Sequence, residues 1–174
     1  MALARPIPTR NERVLKDEDF IVSKTDLKGL ISYGNRTFID ISGYEESELL
    51  GAPHAILRHP DMPRTVFKLL WDQIQSGREI NAYVKNLAKD GAFYWVFANV
   101  TPSFDARGRI VGYHSVRRKP SPGALGTISD LYRTMAETER KHGGGQEGMQ
   151  ASRAILDQLC QGKGASYDEL VLGL

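Results

Sequence analysis

The sequence predicts an α+β domain with a five-stranded antiparallel sheet, short helices on one face of the sheet, and further helices towards the C-terminus. Three observations predict this class. Two short β-rich runs near residue 20 are separated by turn residues, one central segment has helical periodicity, and three β-rich segments follow it with strong hairpin turns between them. A chain of 174 residues is long enough for one such domain with extensions and a buried core.

The first part of the chain predicts an arm, a hairpin and two short helices. Residues 1–17 mix Pro, Arg, Asn and Lys without periodicity, so we expect a flexible or partner-dependent arm. The folded domain itself is expected over residues 18–120. Its first elements are strands at Phe20–Ser23 and Leu30–Tyr33 and helices at Asn35–Ile41 and Glu45–Leu50.

The segment Leu57–Pro63 is the most informative stretch of the chain. It places two cationic or titratable side chains, one carboxylate and two prolines in seven residues. Since proline restricts the backbone, Arg58, His59 and Asp61 are expected to be held for a specific contact, as in a ligand clamp. Asp61 is also expected to cap the amphipathic helix predicted over residues 62–76.

Three strands are predicted after this helix, at Ile80–Ala88, Phe93–Pro102 and Arg109–Arg118, and two hairpin turns join them into a meander. In the middle strand the small side chains of Val96 and Ala98 share one face of the sheet, because side chains alternate along a strand. This face either leaves room for an internal cavity or accommodates a closely packed helix.

The C-terminal residues 121–174 predict a helical extension. Ile128, Leu131, Tyr132 and Met135 form an apolar stripe that needs a covering surface. That surface is the domain's own sheet, a second copy of the chain or another protein, and the pattern does not choose among them. We expect the stripe to mediate self-association, as in a homodimer, or docking to a receptor.

The composition argues against several classes of protein. Charged residues make up 25% of the chain and nearly cancel, leaving a net charge of +2, so no nucleic-acid partner is expected. Cys160 is the only cysteine, which excludes an internal disulfide and fits a reducing compartment. No apolar run approaches the roughly 18 residues of a membrane span, and the N-terminus lacks the apolar stretch of a signal peptide. We expect a soluble cytoplasmic protein without direct membrane insertion.

Several motifs have the order and spacing found in the FAD-binding PAS domain of bacterial aerotaxis receptors, and residues 20–120 resemble that family. The motifs are Asn35-Arg36-Thr37-Phe38, Ser42-Gly43-Tyr44, Leu50-Gly51-Ala52-Pro53-His54, Arg58-His59-Pro60-Asp61-Met62-Pro63, Trp71, Val84-Lys85-Asn86, Lys89-Asp90-Gly91 and Tyr94-Trp95-Val96. The resemblance implies a PAS fold and a sensor that binds FAD non-covalently. Such a sensor reports redox state or oxygen to the chemotaxis machinery.

The resemblance also implies the residues of the FAD site. The family's FAD-linked positions fall on Arg58, His59 and Asp61, with Trp71 and Asn86 as further candidates. Arg58 and the start of the helix near residue 62 suit a pyrophosphate. Val96, Ala98 and Ile56 suit the apolar faces of the flavin ring.

Asn86 and two further positions also resemble functional positions of flavin-binding PAS relatives of the light-sensing LOV type. Asn86 resembles the LOV asparagine before the hairpin turn, and its amide can both donate to and accept from the flavin edge. His114 resembles the position of a ring-contacting glutamine, although a strand histidine is more often structural or exposed. His54 resembles the photoreactive cysteine, and since imidazole cannot form the thiol adduct, blue-light adduct chemistry is not expected.

Other functions stay open at this point. A haem-binding PAS gas sensor would use His54 or His59 as the axial ligand. A cofactor-free PAS module for dimerisation or docking would fill its core with side chains. An enzyme is the least expected class, because the sequence shows neither a nucleophile with its base nor a phosphate-binding glycine loop. The membrane anchor and kinase-control region of aerotaxis receptors do not follow here, so a complete chain of this length would signal through a chemoreceptor or another signalling protein.

Overall fold

The computed structural model describes residues 5–174 and confirms the predicted five-stranded antiparallel sheet. The strands are β1 Phe20–Thr25, β2 Ile31–Gly34, β3 Ile80–Leu87, β4 Phe93–Phe104 and β5 Ile110–Arg118. Their spatial order is β2-β1-β5-β4-β3, and every neighbouring pair is antiparallel. The N-terminal hairpin therefore pairs with the last strand of the meander, which brings β1 and β5 side by side at the centre.

Helices precede and follow the meander close to the predicted positions. They are α1 Arg36–Ser42, α2 Glu46–Leu49, α3 Arg64–Gln75, α4 Pro122–Lys141, α5 Gln146–Lys163 and α6 Tyr167–Leu172, with a 3-10 turn at His54–Leu57. Across residues 5–174, none of these helices is both long enough and apolar enough to cross a membrane.

Asn35 joins the first helix to the first strand. Its side-chain oxygen accepts hydrogen bonds from the backbone N–H of Phe38 at 3.1 Å and of Val22 at 3.0 Å, and its amide nitrogen donates to the carbonyl of Phe20 at 2.8 Å. The helix ends at Gly43, whose φ of 71° is in the left-handed region that favours glycine. One asparagine therefore starts α1 and fixes its position on the sheet.

The sheet register places a set of small and polar side chains on the face towards α1–α3. Ala82 pairs with Ala98 and Asn86 with Tyr94 across β3 and β4, and Ala98 also pairs with Arg117 of β5. All five are buried. This inner face forms one wall of the main core, as the alternation of side chains predicts.

The C-terminal helices pack on the outer face of β3 and β4. The hydroxyl of Tyr132 on α4 donates to the carbonyl of Tyr83 at 2.8 Å, and its ring lies 6.2 Å from that of Trp95. On α6, Asp168 accepts a hydrogen bond of 2.7 Å from the backbone N–H of Asn81. The extension is therefore part of the folded core of this chain.

The apolar stripe of α4 is largely buried by these contacts. Ile128, Tyr132 and Met135 are at most 2% exposed, and Leu131 is partly buried. Of the three surfaces considered for the stripe, the domain itself is the one that covers it, and Tyr132 lies against the outer face of its sheet. The expectation that the stripe serves self-association or receptor docking is corrected: its residues are not available for that role in this conformation.

The start of α3 is capped by a distant residue. The backbone N–H groups of Arg64 and Thr65 donate to the carboxylate of Glu139 at 2.9 and 3.0 Å, and the Thr65 hydroxyl donates to it at 2.8 Å. The expectation that Asp61 caps this helix is wrong. The positive end of α3 is instead satisfied by a carboxylate from α4.

Much of the N-terminal arm is ordered in the described part of the chain. The backbone N–H of Thr9 donates to the carbonyl of Gly91 at 2.8 Å, and that of Arg13 donates to Phe93 at 2.8 Å. Leu15 is 3% exposed. The arm therefore lies along the β3–β4 turn rather than moving freely; its first four residues are outside the described part.

Candidate functional site

A cavity of about 370 Å³ lies between the inner face of the sheet and α3. Sites for small organic ligands usually measure roughly 300–1,000 Å³, so this cavity is within the range. Apolar side chains from α3 and the sheet form most of its wall, among them Leu70, Ile74, Val84, Ala98 and Val100. The cavity interpretation of the small-residue face is thus the one the structure supports, and a core filled by side chains is not what it shows.

One end of the cavity carries a polar cluster. The guanidinium of Arg117 donates to the hydroxyl of Ser23 and lies 3.3 Å from Nε2 of His54. It also lies 4.8 Å from the ring centre of Phe38. Arg117 is 2% exposed, and its Nε has no hydrogen-bond partner among the described residues. A buried donor of this kind is available to a ligand.

The two titratable groups of this cluster have different charges at neutral pH. Burial, together with the positive charges of Arg117 and Arg58, lowers the pKa of His54 to about 3. Burial also lowers the pKa of Arg117 to about 10, which leaves the guanidinium charged. The cluster therefore holds a neutral imidazole beside a buried cation.

Arg58 lines another part of the cavity. Its guanidinium lies 3.8 Å from the ring centre of Phe67, and its backbone carbonyl accepts a hydrogen bond of 3.0 Å from the side chain of Arg5. Nε of Arg58 is buried and unpartnered within residues 5–174. Burial and the charges of Arg5 and Arg64 lower the pKa of Arg58. This concentration of positive charge suits an anionic ligand group.

His59 and Asp61 do not line the cavity in the described structure, which corrects their expected direct contact with a ligand. The ring of His59 packs edge-on against Phe93 at 6.1 Å, and its Nδ1 accepts a hydrogen bond from the backbone N–H of Asp61 at 3.1 Å. Asp61 accepts a hydrogen bond of 2.7 Å from Lys85. These contacts stabilise the turn that presents Arg58.

Trp71 and Asn86, which the resemblance gives as further candidates for the FAD site, both line the wall of the cavity. The ring of Trp71 meets that of Tyr113 edge-on, with centroids 5.5 Å apart. Asn86 is 3% exposed, and its amide nitrogen finds no partner in the part of the chain described. Since buried amides are normally hydrogen-bonded, this amide is a candidate for direct ligand contact.

His114 is on the opposite side of β5 from the cavity, which corrects its assignment as a ring contact. Alternation along the strand turns Tyr113, Ser115 and Arg117 inwards, and all three line the cavity. Arg117 is a candidate site residue that the sequence reasoning missed. The same alternation, applied to β5 with Ala98 as the reference on β4, would have identified it.

Two of the apolar candidates are also outside the cavity wall in the described chain. Val96 is fully buried in the core, and Ile56 is partly buried in the 3-10 turn. Ala98 is the member of this group that lines the cavity. Of the two histidines considered as haem ligands, His54 lines the cavity and His59 does not.

Comparison with known proteins identifies the fold. A family model described as the PAS fold matches residues 31–117. Among curated proteins, the chain is 36% identical over 132 residues to the aerotaxis receptor of Escherichia coli K12, which covers 76% of this chain and 26% of the receptor. It is also 26% identical over 87 residues to the biofilm dispersion protein BdlA of Pseudomonas aeruginosa, covering 49% of this chain and 21% of that protein. The chain thus spans about a quarter or less of these relatives.

Solved structures show the same architecture. The dark structure of the blue-light photoreceptor Aureochrome1 LOV is 26% identical, with a TM-score of 0.53, and the match covers 73% of this chain and 99% of that one. A light-oxygen-voltage domain studied with a flavin analogue has a TM-score of 0.56 at 22% identity, covering 66% of this chain and 86% of that one. These likenesses agree with the observed sheet and helices.

Proposed function

Because the chain belongs to the PAS fold family, we propose that it is a sensor that binds FAD non-covalently and reports redox state or oxygen in aerotaxis or energy taxis. The observation that carries the proposal is the cavity, which combines apolar walls with buried, unpartnered polar atoms on Arg58, Asn86 and Arg117, as counted over the described residues. A flavin ring has two apolar faces and a polar edge, so this combination suits it. The similarity to an aerotaxis receptor supports the signalling role.

Different residues of the cavity fit different parts of FAD. The ring would lie between the apolar walls of α3 and the sheet, with the amide of Asn86 available to its polar edge. Arg58, reinforced by the nearby charges of Arg5 and Arg64, would bind the pyrophosphate. The N–H groups at the N-terminus of α3 already donate to Glu139, so this helix end is not free to bind phosphate as expected. In this proposal the arginines bind the phosphates instead. The bound flavin would supply reversible uptake of electrons and protons.

His59 and Asp61 act through Arg58 in this proposal. The hydrogen bond from the Asp61 backbone to His59 and the ion pair of Asp61 with Lys85 fix the turn that follows Arg58. Loss of either side chain would free the turn and misplace the guanidinium. The two residues are therefore positioning residues for the FAD site.

Strand β3 offers a route from the cavity to the C-terminal helices. Asn86 and Val84 face the cavity, whereas the carbonyl of Tyr83 accepts from Tyr132 of α4 and Asn81 bonds to Asp168 of α6. A change in the contact made by Asn86 would be transmitted to the outer face through the same strand.

We further propose that the domain acts in the cytoplasm as a binding module without catalysis, and that it signals through a chemoreceptor or another signalling protein, as a homodimer. Similarity to an aerotaxis receptor and to BdlA supports a signalling partner. Pull-down of the full chain by chemoreceptor signalling domains, with oxidised and reduced FAD, tests the partner. Redox-independent or absent binding would contradict it.

The variant Arg58→Ala tests the FAD site. A hydrogen bond to a charged group contributes about 1.5–3 kcal/mol, so the variant is expected to bind FAD roughly tenfold to more than a hundredfold more weakly. The measurement is the flavin content of the full chain after dialysis, followed by titration with FAD.

Arg36→Ala is the matched control for that experiment. Arg36 is exposed on α1, where it pairs with Asp40 at 2.9 Å, and its loss changes the net charge by the same amount. The control is expected to keep wild-type affinity. Equal retention of FAD in both variants would remove Arg58 from the site.

A further inference from the structure

The charges around the cavity are unbalanced. Lys28, Arg58 and Arg117 line it, whereas no Asp or Glu among residues 5–174 does. Lys28 is exposed and Arg58 is partly buried, so water screens them to some degree. Arg117 is 2% exposed and makes no ion pair within the described chain. The cavity therefore contains a buried positive charge without an ionic partner.

The contacts of Arg117 compensate this charge only in part. The hydroxyl of Ser23, the neutral imidazole of His54 and the ring of Phe38 are polar or polarisable neighbours, and none is an anion. A buried charge normally needs a paired charge or a full set of hydrogen bonds. In the described structure Nε of Arg117 has no hydrogen-bond partner. A negatively charged ligand would supply what is missing.

We propose that Arg117 makes the cavity bind reduced FAD more tightly than oxidised FAD, and so raises the reduction potential of the bound flavin. This rests on the proposed function. Reduction adds two electrons and one proton, at N5, and leaves N1 of the ring as an anion, whereas the oxidised ring is neutral. The attraction between this anion and a guanidinium inside the protein is stronger than in water, because the surrounding dielectric constant is lower.

Strand β5 supplies a matched control. Arg118 follows Arg117 directly, is exposed on the outer face, and lies 5.3 Å from the ring centre of Phe97. Arg117→Gln and Arg118→Gln remove the same charge from adjacent positions of one strand, and only the first removes it from the cavity. Arg117→Lys keeps the charge and loses the planar guanidinium.

The experiment measures the reduction potential of FAD bound to the full chain, by titration with dithionite, for the wild type and these three variants. The affinity for oxidised FAD is measured on the same proteins. In Arg117→Gln, the affinity for reduced FAD divided by the affinity for oxidised FAD is expected to fall about tenfold. For a two-electron couple this corresponds to a fall of about 30 mV in the reduction potential. Arg118→Gln is expected to match the wild type, and Arg117→Lys to keep most of the difference.

A second variant covers the case in which Arg117→Gln does not fold. Ser115 lines the cavity on the same face of β5, so Ser115→Asp introduces a carboxylate near Arg117 without removing it. It is expected to lower the potential in the same direction. An unchanged or raised potential in whichever of the two variants folds overturns the inference, as does an equal fall in Arg118→Gln.

The outcomes separate this inference from the function on which it rests. A wild type that binds FAD, with a potential insensitive to the charge of Arg117, removes the inference and leaves the sensor proposal standing. A wild type that takes up neither form of FAD removes both.

Discussion

Three of the eight buried side-chain atoms that lack a hydrogen-bond partner in the described chain belong to residues that line the cavity. Asn86, Arg58 and Arg117 each keep a nitrogen without a hydrogen bond among residues 5–174. Leaving such a group unsatisfied costs about 1–3 kcal/mol, so these residues reduce the stability of the empty domain. Side chains that destabilise the empty fold in this way are expected where a ligand completes the hydrogen bonds.

The variant Asn86→Leu separates the stability lost through an unsatisfied amide from the binding energy gained through its contact with a ligand. Because it removes an unsatisfied buried amide, the FAD-free domain is expected to be as stable as the wild type or about 1–3 kcal/mol more stable. The same change removes a contact to the flavin edge, so FAD is expected to stabilise the variant less than the wild type and to show a shifted reduction potential. Thermal unfolding with and without FAD measures the stability of the FAD-free domain and its stabilisation by FAD.

Asn99→Leu serves as the control, because Asn99 lies on the outer face of β4 and bonds to Asn81 and Glu79. It is expected to lose stability equally with and without FAD. Asn86→Leu with wild-type stabilisation by FAD would place Asn86 outside the site.

Two histidines with lowered pKa values make stability depend on pH. His54 and His59 have pKa values of about 3 and 4, below the ordinary 6.5, chiefly because burial disfavours their charged forms. His54 faces Ser23 and the cations Arg117 and Arg58; His59 faces Asp61, Lys85 and Arg5. Between pH 6.5 and about 4 the unfolded chain binds more protons than the folded one, so the free energy of unfolding falls as pH falls.

Urea unfolding at several pH values from 6.5 to 4.5 measures this dependence. Each histidine contributes at most about 1.4 kcal/mol per pH unit. The carboxylates with lowered pKa, such as Asp61 and Asp90, lose their contribution mainly below about pH 4, under this window. His54→Gln and His59→Asn are each expected to reduce the slope. Variants with the slope of the wild type would show that neither histidine is the cause.

At the scale of elements, local patterns predict the strands and helices, and distant contacts determine how they are used. The alternation in β4 and the hairpin turns predict the meander because they depend on neighbouring residues alone. The cap of α3 could not be predicted, since Glu139 is 75 residues from Arg64. The assignment of His114 failed because the motif was aligned by position, whereas the face of β5 is set by pairing with β4.

The Glu139 cap makes the C-terminal extension part of the sensor fold. Glu139→Ala leaves the N–H groups of Arg64 and Thr65 without their acceptor, and loss of a helix cap costs about 0.5–2 kcal/mol. The variant is expected to lose at least that much in the free energy of unfolding, measured by urea denaturation. Glu137→Ala changes an exposed residue of the same helix and is expected to have a small effect. Equal stability of the two variants would contradict the role of the cap.

At the scale of the whole molecule, other parts of the fold pack on both faces of the sheet. The inner face and α3 enclose the cavity, and the outer face of β3 and β4 carries α4 and α6. The arm adds a further contact, along the β3–β4 turn and at the carbonyl of Arg58. A ligand in the cavity would therefore touch elements that also hold both ends of the described chain.

The central claim is that this cavity binds a flavin. The most direct measurement is the absorption spectrum of the freshly purified full chain, followed by titration of the colourless fraction with FAD. The account predicts flavin bands from tightly held FAD, released unchanged on denaturation as expected for non-covalent binding, and uptake of added FAD by the remainder. A Soret band, or protein that stays colourless and takes up no FAD, would contradict it.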